Sequence, residues 1–319
     1  MYITFLGVMR DMGKIRVVPA KSGEMFEFAG KTKTFFPSVG LKLTGQCRLG
    51  CPFCCEPDRE QEVFPVENFF KITDTLQKMG TERLCFTGGD PLLYDGLVPL
   101  LKHTKSLGFY NLLLTSDGNL LKEKYRDIIP FVNAVRFSIH STGSKHDEIV
   151  KSLDAFSSIE EMVDVLAASN VPSHVTTVVS KINRDAIFDI AEWCHSRGIV
   201  QYYLFGLMKS GRGKSFVDAA GEVSSKDIAG IVKELESKYS SDRLKIAYYD
   251  YHKKAECILI YGDGRVVIDP YPVPPSYQVG IGNILSDTPS MILDNFSKDP
   301  ENVKGYNAHL QIESALSIL

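Results

Sequence analysis

The chain has 319 residues, 44% of them hydrophobic, so it can bury a large core without disulfide bonds. Its 36 basic and 39 acidic residues give a formal net charge of −3, which does not favour nucleic acid as a partner. No apolar stretch approaches the roughly 18 residues of a membrane span, and the N-terminus does not resemble a signal peptide. We therefore expect a soluble cytoplasmic protein that binds no membrane and keeps its thiols reduced.

The first 37 residues are expected to form an extension, in which RVVPAKSGEMFEF predicts a β-hairpin. From residue 38 to about 208, short apolar segments alternate with helical patterns, which predicts an α/β fold with a parallel sheet and right-handed crossovers. Six strand–helix units are too few for a closed eight-fold barrel, so a partial (β/α)6 barrel or an open sheet fits better. Functional residues should then lie at the carboxyl ends of the strands. The predicted strands span 38–44, 83–89, 111–116, 134–140, 173–180 and 200–207.

The predicted helices between these strands are marked by local end signals. Three of them end in a glycine, at Gly80, Gly108 and Gly198. The helical pattern of 158–170 opens with Ser158 and has Glu161 three residues later, which predicts a capping box at its N-terminus.

A change of pattern near residues 212–224 predicts the end of this region. A helix over 224–241 is followed by a segment at 243–251 and by a hairpin over 256–270 that turns at Asp263-Gly264. We therefore divide the chain into an N-terminal hairpin extension (1–37), a partial-barrel domain (38–215) and a small C-terminal α+β extension (216–319).

Four of the seven cysteines lie within nine positions, in LTGQCRLGCPFCCEPD after the first predicted strand. Three of them have the spacing Cys47-x3-Cys51-x2-Cys54, and thiolates so close together are soft ligands for iron–sulfur or zinc. A structural zinc site needs a fourth ligand, usually from a second cysteine pair, and the sequence has no such pair. Three thiolates on a four-iron cluster would instead leave one iron open to a small molecule.

The stretch CRLGCPFC resembles the C-x3-C-x2-C signature of the radical S-adenosylmethionine (SAM) superfamily, including the aromatic Phe53. The resemblance implies a [4Fe-4S] cluster on Cys47, Cys51 and Cys54, with SAM on the open iron. It also implies reductive cleavage of SAM to a 5′-deoxyadenosyl radical, driven by an electron donor such as flavodoxin or ferredoxin. The adjacent Cys55 is expected not to bind the cluster.

Further segments resemble SAM-binding parts of this superfamily. Residues TGGDP resemble its GGEP motif, which implies that Gly88, Gly89, Asp90 and Pro91 hold the SAM amino group, with Asp90 in place of the usual Glu. The segments HDEIVKSLDAFSSIEEMVDVL and LFGLMKSGRG resemble the molybdenum-cofactor-cyclase and peptide-maturase branch. By the same likeness, further SAM contacts fall on Ser116 and Asp117 (ribose hydroxyls, or only a helix-capping turn), on Ser138 and on Leu207 (adenine).

The tail resembles the opening hairpin of the SPASM or twitch extensions, which carry auxiliary clusters on additional cysteines. Only Cys257 is present there, and one thiolate cannot hold a four-iron cluster, so we expect no auxiliary cluster. Cys257 is then either a buried core residue or the hydrogen-atom donor of an epimerase. Cys85 and Cys194 are expected to be core residues.

The sequence favours a radical SAM enzyme that removes a hydrogen atom from a carbon of a small polar metabolite. Only about 37 residues precede the first strand, whereas peptide maturases often carry a separate leader-binding domain there. A peptide-modifying enzyme, either a maturase or an epimerase of ribosomal peptides, remains the alternative. The other class to consider is a non-catalytic iron–sulfur electron carrier, which would not cleave SAM.

Overall fold

The computed structural model describes residues 16–20, 23–28, 31–33, 35–56, 63–209, 211–239, 244–249, 255–271 and 279–306. Near the N-terminus, β1 (Arg16–Ala20), β2 (Gly23–Phe28) and β3 (Lys31–Lys33) form a small antiparallel sheet in which β1 and β2 pair as a hairpin. The remaining described strands form one sheet of ten strands.

The centre of the large sheet consists of the six predicted parallel strands, in sequence order. This confirms the α/β fold of a partial (β/α)6 barrel. Each strand ends one or two residues before its predicted end, because the last predicted residues already belong to the loops. The six are β4 (Ser38–Lys42), β5 (Arg83–Thr87), β6 (Tyr110–Thr115), β7 (Ala134–Ser138), β8 (Ser173–Val178) and β9 (Gln201–Phe205).

Strands from the tail extend both edges of this sheet. β10 (Lys245–Tyr249) pairs in parallel with β9 and adds a seventh parallel strand that the sequence did not assign to the barrel. At the other edge, β11 (Ala255–Tyr261) pairs in parallel with β4, and β12 (Arg265–Tyr271) and β13 (Val279–Asn283) continue antiparallel. The tail hairpin therefore lies directly beside β4, the strand that leads into the loop with the clustered cysteines.

Helices cover the outer face of the sheet. No helix in the described part of the chain is both long and apolar enough to cross a bilayer. They are α1 (Val66–Met79), α2 (Leu97–Ser106), α3 (Gly118–Ile128), α4 (Ser144–Val150), α5 (Ala155–Ala168), α6 (Ile187–Ser196), α7 (Arg212–Ala220), α8 (Ser225–Lys238) and α9 (Pro289–Ser297), and residues 300–306 are also helical.

The two faces of β5 show how the strands build the site. Leu84 and Phe86 are fully buried in the main hydrophobic core beneath the helices. The alternate residues Arg83, Cys85 and Thr87 line a cavity on the inner face. Because side chains alternate along a strand, a polar set with a period of two lies on the concave side of the sheet.

The predicted capping box of the helix after β7 is wrong. α5 begins at Ala155, so Ser158 lies inside the helix and donates from Oγ to Asn119 Oδ1 at 2.6 Å. The cap comes instead from the preceding helix, where Asp147 Oδ1 accepts the backbone N–H of Phe156 at 2.8 Å. The helix therefore begins three residues earlier than the local pattern predicts, and a carboxylate of the preceding helix satisfies one of its first backbone N–H groups.

Candidate active site

One cavity of about 330 Å³ opens among the carboxyl ends of the strands and the tail hairpin. Its wall includes Cys51 and Cys54 from the loop after β4, and Gly88 and Gly89 from the loop after β5. On the opposite side it includes Cys257 from β11. Loops that are far apart in sequence thus meet around one space, as expected for parallel strands with a common carboxyl end.

The cysteine loop, residues 43–56, carries all three predicted ligands. Cys47, Cys51 and Cys54 are partly buried thiols, and Cys47 and Cys51 pack against the fully covered Leu49. Burial raises the pKa of Cys51 to about 12, and the nearby Cys54 and Cys47 add to this rise. In the absence of a cation the buried thiol keeps its proton, whereas a bound iron would favour the thiolate.

Backbone hydrogen bonds hold this loop on several sides. Gly50 N donates to Val150 O of α4 at 2.7 Å, and Gly213 N of α7 donates to Cys54 O at 3.2 Å. The adjacent Arg212 lowers the pKa of Cys51 and partly offsets the effect of burial. Two helices therefore fix the loop from outside the cavity.

The two glycines of TGGDP fit against the cysteine loop. A Cβ atom at Gly88 would lie 2.3 Å from Thr44 O, and a Cβ at Gly89 would lie 2.2 Å from Gln46 O. Gly89 N also donates to Thr44 O at 2.7 Å. From the sequence, we expected these glycines to allow close approach of a ligand. The structure shows that the fold itself requires them, because no side chain fits between the two loops.

Comparison with known sequences identifies the kind of domain that contains the cysteine loop and the glycine turn. Residues 41–194, which include the cysteine loop and the glycine turn, match the profile of the Radical SAM superfamily. The chain carries a radical SAM domain. The expected family and its cofactors, a [4Fe-4S] cluster and SAM, are thereby confirmed.

Curated relatives and solved structures agree with this assignment. A probable GTP 3′,8-cyclase of Saccharolobus islandicus is 26% identical over 178 residues, which are 54% of this chain and 58% of that relative. The chain thus spans little more than half the length of the curated relatives that it matches. Streptococcus suis SuiB bound to S-adenosylmethionine superposes with a TM-score of 0.64 at 14% identity, over 86% of this chain and 68% of SuiB. Native anSMEcpe with bound AdoMet and Kp18Cys peptide gives 0.61 at 18% identity, over 83% and 82% of the two chains.

The donor set suits an iron–sulfur cluster better than a single metal ion. Among the described residues, no group of three His, Cys, Asp or Glu side chains is placed to hold one metal ion. Each thiolate of a cluster binds a different iron, so the three sulfurs need not converge on one point as they would for zinc. A radical SAM cluster would be held by Cys47, Cys51 and Cys54.

The acidic residue of the GGDP turn faces away from the cavity. Asp90 is 2% exposed; its Oδ1 accepts Leu92 N at 2.9 Å, and its Oδ2 accepts the hydroxyl of Thr115 at 2.8 Å. Burial raises the pKa of Asp90 to about 6 despite these hydrogen bonds. Asp90 therefore caps the turn that begins at the buried Pro91, and neither residue lines the cavity.

The remaining predicted SAM residues divide into two groups. Ser116 and Ser138 line the cavity at the ends of β6 and β7. Asp117 is 2% exposed and caps α3 by accepting Leu120 N at 2.9 Å, which is the helix-capping alternative. Leu207 is 1% exposed and packs against Phe53 in a small core, whereas Gly206 and Met208 on either side of it line the cavity.

A histidine pair lies at the cavity wall, with His140 facing the cavity and His146 buried behind it. His140 lines the cavity, with its ring edge-to-face on Phe53 at 4.5 Å between centroids, and its backbone N–H donates to His146 Nδ1 at 3.2 Å. Burial lowers the pKa of His140 well below its usual value, and His146 lowers it further. The imidazole that faces the cavity is therefore neutral.

The thiol of Cys257, which the sequence singled out, lies beside the adjacent strand β12. Its Sγ is 3.7 Å from Asp269 O and 3.9 Å from Asp269 Oδ2.

Sequence reasoning missed two other thiols of this cavity. Cys55 and Cys85 line the same cavity, although Cys85 was expected in the core. The period-two pattern of RLCFT, with Arg83 and Thr87 in phase with Cys85, was the available signal.

Proposed function

We propose that the chain is a radical SAM enzyme that removes a hydrogen atom from a carbon of a small polar metabolite and returns one from Cys257, as an epimerase does. The observation that carries this proposal is that Cys257 lines the same cavity as Cys51, Cys54 and Gly88. When bound, the cluster and SAM supply one-electron cleavage to methionine and a 5′-deoxyadenosyl radical.

In this proposal the three cysteines of the loop hold the cluster. Gly88 and Gly89, which line the cavity, would hold the SAM amino group through their backbone, and Ser116 and Ser138 would offer hydroxyls from the ends of β6 and β7. The adenine contact predicted for Leu207 is reassigned to its neighbours Gly206 and Met208, because their positions reach the cavity. Strands β4 to β9, the loops that follow them and the tail hairpin line the space, which limits access of water to the reacting carbon.

Cys257 would act on the substrate after the first hydrogen atom has left. Its S–H bond breaks, the hydrogen atom joins the substrate carbon from the other face, and a sulfur-centred radical remains on Cys257. One electron from an external reductant, such as flavodoxin or ferredoxin, and one proton restore the thiol. The carboxylate of Asp269, 3.9 Å from Sγ, is placed to pass that proton.

A peptide substrate is the second candidate. It is supported by two proteins with the same fold, since SuiB has been crystallised with the precursor peptide SuiA and anSMEcpe with the Kp18Cys peptide. Both are under 20% identical to this chain, so they favour a peptide at the level of fold alone. A non-catalytic electron carrier is the third reading.

The first test is the reductive cleavage of SAM. Protein with a reconstituted cluster, SAM and a strong reductant should form 5′-deoxyadenosine, and a variant with Cys47, Cys51 and Cys54 all changed to alanine should not. An intact cluster that produces no 5′-deoxyadenosine would support the electron carrier and exclude the enzyme.

The second test uses Cys257→Ala, with Cys85→Ala as a matched cysteine in the same cavity. Aminocyclitols, sugars and short peptides are incubated with each protein in heavy water, and deuterium in the product is measured. Wild type and Cys85→Ala should incorporate one solvent deuterium, because a thiol proton exchanges with water. Cys257→Ala should form 5′-deoxyadenosine without normal product. Normal deuterated product from Cys257→Ala would eliminate Cys257 as the donor, and its loss in Cys85→Ala alone would assign the donor to Cys85.

A further inference from the structure

An ion pair between Lys42 and Glu56 lies in the wall of the cavity. Lys42 is the last residue of β4, and Glu56 is the last residue of the cysteine loop, two positions after Cys54. The two side chains are only 13% and 25% exposed, and they line the same space as Cys54 and Cys257. The pair therefore belongs to the interior of the candidate active site and not to the outer surface of the protein.

The backbone holds both partners of this ion pair in place. Lys42 is paired with Thr87 of β5 on one side and with Tyr261 of β11 on the other. The backbone of Glu56 packs against Gly211, just before α7, where a Cβ atom would lie 2.2 Å from Glu56 O. The two charges are thus carried by backbone positions that the surrounding strands and the turn before α7 fix.

The pair has hydrogen-bonding capacity that the protein does not use. Burial acts to lower the pKa of Lys42, but the charge and the hydrogen bond of Glu56 raise it above its ordinary value of 10.5, so the lysine stays ionised. Its Nζ has three N–H donors, of which one is donated to Glu56 Oε2. Within the part of the chain that the structure describes, neither side chain forms another hydrogen bond. Two N–H donors of Lys42 and the Oε1 oxygen of Glu56 have no partner among these residues.

Partial burial makes this unused capacity costly. An ion pair that leaves water recovers its desolvation cost only when further hydrogen bonds satisfy its remaining donors and oxygens. Lys122 and Glu161 form the same kind of pair between α3 and α5, but their side chains are 48% and 50% exposed, so water can satisfy them. The pair in the cavity lacks this exposure, and we expect a ligand with complementary groups to complete its hydrogen bonds.

We infer that Lys42 and Glu56 bind the α-amino acid group of a small substrate. The carboxylate of that group would accept from the remaining N–H donors of Lys42, and its ammonium would donate to Glu56 Oε1, so that positive and negative charges alternate. A neutral sugar has no charge to match the pair, and a peptide carries its two charged termini at opposite ends. This inference rests on the proposed function, because it names the class of molecule whose carbon reacts in the cavity.

The test uses the full chain with a reconstituted cluster. L-Alanine is titrated without SAM and then with saturating SAM, and binding is measured by saturation-transfer NMR. Alanine should bind equally under both conditions, because in the proposed function SAM occupies the open iron and the glycine turn and leaves the ion pair accessible. N-Acetylalanine, which lacks the ammonium, and alaninamide, which lacks the carboxylate, should each bind at least about ten-fold more weakly, the cost of losing a charged hydrogen bond.

Matched variants of the two lysine–glutamate pairs complete the test. Lys42→Met and Glu56→Gln should each weaken alanine binding at least about ten-fold, for the same reason. Lys122→Met and Glu161→Gln alter the exposed pair outside the cavity and should bind alanine as wild type does. If a single cavity variant does not fold because one charge is left unpaired, Lys42→Met combined with Glu56→Met removes both charges and should also lose the binding.

Each contrary outcome has its own meaning. Loss of alanine binding when SAM is added would assign the pair to the amino acid group of SAM and overturn the substrate subsite. Failure of wild type to bind alanine, equal affinity for the three ligands, or undiminished binding in the cavity variants would show that the pair only anchors the cysteine loop. Cleavage of SAM to 5′-deoxyadenosine is measured on the same samples, so failure of the subsite and failure of the radical SAM chemistry are scored separately.

Discussion

Arg48 in the cysteine loop and Asp117 at the N-terminus of α3 form an ion pair, with Nε and Oδ2 3.0 Å apart. The backbone N–H of Asp117 donates to Thr115 Oγ1 at 3.2 Å, and Thr115 Oγ1 donates to Asp90 Oδ2 at 2.8 Å. One hydrogen-bonded chain therefore runs from the cluster loop through the end of β6 to the GGDP turn. Asp117 connects these loops, although the likeness suggested a contact with ribose.

The first prediction separates these two roles of Asp117. Asp117→Ala should lower the free energy of unfolding by about 1–2 kcal/mol, because the α3 cap is lost. Asp117→Asn keeps the cap and loses only the ion pair, which should cost less than 1 kcal/mol because the Arg48 side chain is 44% exposed. Chemical denaturation measures both values, and Ser224→Ala, which removes the cap of α8, is the control.

SAM affinity supplies the contrary outcome. If Asp117 binds ribose directly, Asp117→Asn should weaken SAM several-fold while stability stays close to wild type. If it acts only as cap and anchor, the affinity of Asp117→Asn should follow its small loss of stability.

The second prediction concerns iron content. Anaerobic reconstitution should give about four irons per chain, and changing Cys47, Cys51 and Cys54 together to alanine should remove them all. Cys55→Ala is the matched control from the same loop and should keep the full content. Iron retained by the triple variant would mean that other cysteines hold a cluster. Loss of iron in Cys55→Ala would make Cys55 a ligand.

The barrel could be predicted from sequence because apolar alternation reflects the covered face of each strand, as with Leu84 and Phe86. The sequence could not predict which residues near the strand ends reach the cavity, because that depends on the direction of each side chain there. The likeness suggested SAM contacts for both Ser138 and Leu207, yet only Ser138 lines the cavity, and Leu207 packs in a small core. β10 was also missed as a barrel strand, since its pairing with β9 is decided by tertiary contacts across the intervening helices.

The third prediction is that Gly89→Val disturbs the cluster as well as SAM binding. A Cβ there would lie 2.2 Å from Gln46 O, which is backbone of the cysteine loop and cannot move aside cheaply. SAM affinity and reconstituted iron should therefore fall together, measured by equilibrium binding and iron analysis. Gly108→Asn is the control, because no atom lies within 4 Å of a Cβ there and asparagine tolerates its positive φ. A variant that loses SAM binding with full iron content would instead point to a steric block of the ligand alone.

The last prediction concerns acid stability and His146, whose side chain is fully buried. Burial lowers the pKa of His146 to about 4 from an ordinary value of 6.5, so the unfolded chain binds a proton that the folded chain excludes. The stability that this histidine contributes is present above pH 6.5 and is lost as the pH falls through 4, by about 3 kcal/mol at most.

His146→Gln keeps an acceptor for His140 N and has no proton to bind. In the background with Cys47, Cys51 and Cys54 changed to alanine, which removes the cluster from the comparison, its free energy of unfolding should fall less than that of the parent between pH 7 and 4. Asp90, whose pKa is raised by burial to about 6, acts with the opposite sign over part of this range but is common to both proteins and cancels in the difference. Parallel stability curves for the two proteins would show that His146 accepts a proton in the folded state as readily as in the unfolded chain, and that burial does not keep it neutral.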